Sequence, residues 1–90
     1  MNKIKFNDLK TIGYSFKVST NDVEDKYITY TVSDYNEDVK DAAGVSCTQI
    51  ILSVSNRKEK VVLLYTNDFL NEKMNYATRL SDGIDVLVVF

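Results

Sequence analysis

CTQIILSVSNRKEKVVLLY, residues 47–65, reads as two strands and a polar turn. On the first arm Ile50, Leu52 and Val54 alternate with Gln49, Ser53 and Ser55, the two-residue period of a strand with one face buried. Ile51 interrupts the alternation, so the second face is not wholly polar. The turn, Asn56 to Lys60, holds five polar residues without Gly or Pro, which suits a three- to five-residue hairpin loop. The second arm, Val61 to Tyr65, is apolar without a break, the pattern of a strand covered on both faces. A hairpin here supplies the centre of a sheet, and the remaining segments are read against it.

Upstream, Lys3 to Phe6 alternate weakly, and Asn7 or Asp8 can cap a short helix over about 7–12 that Gly13 stops. Tyr14, Phe16 and Val18 mark a strand, and Ile28, Tyr30 and Val32 mark another, the two forming a hairpin across the polar connection 20–25. In DYNEDVKDAAG, residues 34–44, the period changes. Tyr35, Val39 and Ala42 recur at helical spacing, Asp34 and Glu37 stand as a capping box, and Gly44 fits a C-terminal cap, which predicts an amphipathic helix over 35–43. Downstream of the hairpin, Thr66 or Asn67 caps a longer helix whose inner stripe is Leu70, Met74, Ala77 and Leu80. Ser81-Asp82-Gly83 ends it. The last segment, IDVLVVF, residues 84–90, predicts an inner strand with Val88 and Phe90 buried, because exposed it would invite aggregation. The expected order is α-β-β-α-β-β-α-β: a single α+β domain over residues 1–90 with a mainly antiparallel sheet of about five strands.

Composition narrows the chemistry. The chain has 90 residues, 44% of them hydrophobic and 27% charged, which places it among ordinary globular domains and not disordered ones. No run approaches the ~18 apolar residues of a membrane span. MNKIKFNDLK carries charge where a secretion signal needs an apolar stretch, and Cys47 is the single cysteine, so a cytoplasmic setting without disulfides is expected. There is no His, the commonest general base and metal ligand, and the three Gly do not make a phosphate loop. Cys47 opens a strand with no activating partner and reads as a buried, inert thiol. Asp34, Asn36 and Asp38 match the first half of a calcium loop, but Val39 and Val45 stand where Gly and a bidentate Glu are required. Asp85 is the one acid within an apolar strand, pointing outward or paired with a Lys; a lone carboxylate is not a metal site. No catalytic residue, metal or cofactor is expected.

The net charge of −2 conceals an uneven distribution. Seven of the thirteen acids lie within 20–44: Asp22, Glu24, Asp25, Asp34, Glu37, Asp38 and Asp41. On a helix, Asp34, Glu37, Asp38 and Asp41 would form one stripe. Helix capping and the macrodipole account for the first three and not for Asp41. The other reading is a docking face for a basic surface, with Asp22, Glu24 and Asp25 nearby and Tyr27 and Tyr35 at its margins, since tyrosine beside charge is frequent at interfaces. Direct nucleic-acid binding is disfavoured, because the basic residues fall in two small groups within an acidic chain.

These features lead to a non-catalytic protein-binding module as the expectation. By analogy of size and charge alone, it would be an inhibitor of the immunity or phage anti-defence type that occludes a basic, nucleic-acid-binding surface of its partner. The competing expectation is a structural or assembly subunit that self-associates, for example as a homodimer, through an exposed strand edge, since the second arm, VVLLY, and the C-terminal strand are apolar enough to pair across subunits.

Overall fold

The computed structural model describes residues 2–20, 26–81 and 83–90. Seven strands and two short helices follow the order β1 (Asn2–Lys5), α1 (Phe6–Leu9), β2 (Ser15–Ser19), β3 (Tyr27–Lys40), β4 (Ser46–Val54), β5 (Lys60–Thr66), α2 (Asn67–Asn71), β6 (Tyr76–Arg79) and β7 (Asp85–Val89). A four-stranded sheet, β2-β3-β4-β5, is antiparallel throughout, and a three-stranded sheet, β1-β7-β6, is parallel only between β1 and β7. The architecture is a small α+β domain with mostly antiparallel pairing.

The central hairpin forms as its pattern requires. Cys47 pairs with Thr66 and Ser53 with Lys60, with no register shift between them. Asn56 takes φ +60° in the turn, a left-handed conformation that Asn tolerates better than most residues. Ile50, Leu52, Val54 and Leu63 point inward and are buried. They meet Ile28, Tyr30 and Val32 of β3 and, across the interior, Ile4, Val86 and Val88 of the second sheet, with Phe6 and Leu9 of α1 filling one side. Two side-chain hydrogen bonds tie the layers: Tyr30 Oη to Ser81 Oγ at 2.6 Å and Tyr65 Oη to Thr78 Oγ1 at 2.5 Å. Asn2 Nδ2 donates to the Lys17 carbonyl at 3.2 Å, joining β1 to β2 on the opposite flank.

Several expectations are corrected. Residues 35–40 are not a helix but the far half of β3, a 14-residue strand whose length of roughly 43 Å matches the molecule's 42 Å long axis. Strand wins over helix because β4 offers backbone partners along this stretch: Asp34 pairs with Ile51, Tyr35 with Ile50, Asn36 with Gln49, Val39 with Cys47 and Lys40 with Ser46. The ladder is interrupted between Val32 and Asp34 and again between Asn36 and Val39, and these two bulges give the sequence its false helical period. Gly44 does not cap a helix; at φ +79° it lies in the turn from β3 to β4. The helix over 66–80 is also shorter than its stripe suggests. Thr66 caps α2 as expected, its side chain accepting from the Phe69 amide at 3.3 Å, but the helix ends at Asn71 and Lys73 turns the chain at φ +53°. Tyr76 to Arg79 then form β6 against β7, with Thr78 buried and Ala77 and Arg79 exposed.

Val88 is buried as expected, but Phe90 is 45% exposed, stacked on Phe6 with ring centroids 5.0 Å apart. Asp85 points outward and pairs with Arg79, directly opposite it on β6, at 3.0 Å. Cys47 is a buried free thiol. Among the described residues, no helix is long and apolar enough to cross a membrane.

Candidate functional site

Alternation along β3, β4 and β5 sorts their side chains into two faces. The row Tyr35, Ile50 and Leu63 points into the interior. The rows on either side of it, Asp34, Ile51 and Val62 on one and Asn36, Gln49 and Leu64 on the other, point outward. Val62 is 55% exposed and Leu64 47% exposed, because β5 lies at the edge of its sheet and nothing among the described residues covers its outer face. The unbroken apolar run VVLLY therefore does not mark a strand covered on both sides. The outer face has an apolar centre at Val62, Leu64 and half-buried Ile51, with polar and acidic groups from β3 along one side.

The sequence-predicted acids divide among three roles. Asp34 and Asp38 are exposed and enter no ion pair among the described residues; Asp34 Oδ1 accepts only from the adjacent Tyr35 amide, at 2.8 Å. Asp41 is a turn residue: its Oδ1 accepts from the Ala43 and Val45 amides, each at 2.9 Å, which holds the connection to β4. Its place in the sequence, puzzling on a helix, is explained by that turn. Glu37 faces the opposite way from Asp34, accepting from the Tyr35 hydroxyl and pairing with Lys10 at 3.2 Å. With Asp34 on the sheet's outer face, Glu37 in a groove and Asp41 in the turn, the four acids make no single stripe. Tyr27 is exposed on β3, and Asp22, Glu24 and Asp25 lie outside the described residues.

Glu37 and Tyr35 belong to an open groove of about 570 Å³ between α1, the far half of β3 and α2, with Phe90 on its rim. Lys10 is its central cation, its ammonium 6.0 Å from the Phe6 ring centre and 5.8 Å from that of Tyr35. The floor is internally satisfied. Thr48 donates to Asn67 Oδ1 at 2.7 Å, and Asn67 Nδ2 donates to the Glu37 carbonyl at 3.3 Å. The Tyr35 hydrogen bond, and then Lys10, hold the Glu37 carboxyl below the usual carboxylate range. Partial burial, and then Glu37 itself, push the Tyr35 phenol well above its ordinary value. Both shifts move away from neutrality, so this pair stays as phenol and carboxylate and is poorly matched to proton transfer near pH 7. Both residues belong to β3, and it is the Lys10 ion pair with Glu37 that links this strand to the end of α1.

A second group of rings, Tyr65, Tyr76 and Phe69, packs under α2, with Tyr65 and Tyr76 centroids 5.0 Å apart. Burial raises the pKa of both phenols and so holds them in the neutral, protonated form. The Tyr76 hydroxyl is buried beside Tyr65 and, among the described residues, has no partner in hydrogen-bond geometry. Among the described residues, no group of three or more Cys, Asp or Glu is placed to hold a metal ion.

Sequence reasoning read Val61 to Tyr65 as covered on both faces, and in its alternative as a strand able to pair across subunits; it did not single out Val62 and Leu64 as an exposed outer face, and it missed the Lys10–Glu37 pair, whose members lie far apart in the chain. The edge position of β5 depends on strand order, for which the sequence carries no local signal. No protein-family model matches the chain, and neither a curated protein nor a solved structure matches it.

Proposed function

We propose that the protein is a non-catalytic binding module that docks through the outer face of its larger sheet onto a protein partner with a basic surface. The observation that carries this reading is the pair of outward rows on β3, β4 and β5: exposed Val62 and Leu64 flanked by the carboxylate of Asp34, with Asp38 exposed further along β3. An apolar centre with a charged margin is the usual anatomy of a protein interface. The acids would steer encounter, and burial of the apolar pair would slow dissociation. An inhibitor of the anti-defence or immunity type, acting in the cytoplasm by covering the basic groove of a nucleic-acid enzyme, is the form of this reading that best suits the chain's size and charge.

The test is a charge change that spares the fold. Asp34→Asn combined with Asp38→Asn keeps side-chain shape and removes two carboxylates that no ion pair among the described residues uses. Glu37 and Asp41 are left alone, since each holds a local structure. The double variant is expected to associate with the captured partner several-fold more slowly, up to about tenfold at low ionic strength, with the difference shrinking as salt rises. Unchanged association at low salt would remove the acids from the mechanism.

A second reading, self-association, is favoured by one specific feature. β5 ends its sheet, and no backbone hydrogen bond among the described residues reaches its free edge.

A further inference from the structure

Natural sheets blunt their open edges with charge, proline or bulges. Two of the four edge strands here are blunted by charge and a third by its shortness. β1 carries Lys3 and Lys5, β2 carries Lys17 at its middle, and β6 is only 4 residues long. β5 differs: Val61 to Tyr65 are uncharged, its ladder to β4 is free of bulges, and its single Lys60 lies at the very start. A regular, apolar edge left without protection is the template for another strand.

We propose that the chain forms a two-fold homodimer by antiparallel pairing of β5 with β5 of a second copy, in a register centred on Leu63. This rests on the self-association reading and specifies its geometry. In an antiparallel pair, residues directly opposite share a face. Registers centred between two residues would set exposed Val62 against inward Leu63, so the centre must fall on a residue. A centre on Val62 or Leu64 pairs only five residues of β5. A centre on Leu63 pairs all seven, Lys60 to Thr66. It places Val62 opposite Leu64 of the second copy, and by symmetry Leu64 opposite Val62, so the two outer faces merge into one apolar patch of four side chains. Lys60 then faces Thr66, and the two Lys60 residues stand roughly 20 Å apart, beyond the screening length at physiological salt. Just outside the ladder, the same symmetry brings Lys58 in the β4–β5 turn towards Asp68 in the first turn of α2 of the other copy. The two four-stranded sheets become one sheet of eight strands.

Sedimentation of the full chain over a range of concentrations tests the association, and cysteine pairing tests the register. The intact chain should show a reversible monomer–dimer equilibrium, and Val62→Lys should weaken it about tenfold or more while the circular dichroism stays unchanged. Under mild oxidation, Val62→Cys alone and Leu64→Cys alone should stay uncrosslinked, like the intact chain with its buried Cys47. An equal mixture of the two variants should yield a disulfide-linked dimer, because opposed positions in a ladder lie within disulfide reach. Crosslinking of either variant with itself, or dimers without crosslinking in the mixture, would overturn the register and leave self-association standing. A chain that stays monomeric at every concentration would overturn both.

Discussion

Removal of residues 86–90 is expected to abolish cooperative unfolding. β7 is the middle strand of its sheet, hydrogen-bonded to β1 on one side and β6 on the other. Its deletion leaves both neighbours without a partner and removes Val86 and Val88 from the core. Burial of two such side chains is worth ~1.5–3 kcal/mol each, and each ladder bond removed adds ~0.5–1.5 kcal/mol. Together these approach the ~5–15 kcal/mol that holds a typical domain. The shortened chain should show no sigmoidal melt by circular dichroism. A cooperative transition near that of the intact protein would mean that the three-stranded sheet is peripheral.

The next largest effect is expected at Tyr30, which is 0% exposed and joins the two layers at once. Its ring stacks on Phe16 with centroids 5.4 Å apart, and its hydroxyl meets Ser81 Oγ at 2.6 Å. Tyr30→Ala opens a large cavity and should cost ~3–5 kcal/mol, lowering the Tm by more than roughly 10 °C for a domain of this length. Tyr30→Phe keeps the ring and loses the hydroxyl, and should cost only ~1–1.5 kcal/mol. Denaturant titration of the pair separates packing from the hydrogen bond. Equal losses in both variants would mean that the hydroxyl, and not the ring, carries the contribution.

The fold was legible where local pattern and long-range pairing agree. Ile50, Leu52 and Val54 alternate in the sequence and are buried together in the structure. Ile28, Tyr30 and Val32 behave likewise. Over 34–40 the two disagree: a capping pattern and a four-residue recurrence favour helix, but β4 lies alongside with its backbone groups unfilled, and pairing prevails. Bulges then hide the strand period from any local reading. The stripe from Leu70 to Leu80 misleads differently, because Lys73 adopts a left-handed conformation that ends the helical path before Tyr76. Among the candidate binding residues, Asp34 and Asp38 were legible as exposed carboxylates from composition alone. The apolar half of the proposed face was not. An uninterrupted run such as VVLLY is compatible with an inner strand or an unprotected edge, and only the position of β5 at the end of β2-β3-β4-β5 separates the two.

The same edge position connects the two proposals. Val62 and Leu64 form the apolar centre of the docking face, and across the two-fold they would double it. Asp34 borders that centre in either state, since it lies two strands from the free edge.

The central claim, that the outer face of the larger sheet receives the partner, is tested most directly by methyl chemical-shift changes in the chain as the purified partner is added. Ile51, Val62 and Leu64 report on that face, Leu70 and Val89 on the groove side, and Ile50 and Leu52 on the interior. The account predicts large shifts at Ile51, Val62 and Leu64, with the other methyls nearly unmoved. Shifts confined to Leu70 and Val89, with Val62 and Leu64 unchanged, would contradict it and move the binding site to the groove around Lys10 and Tyr35.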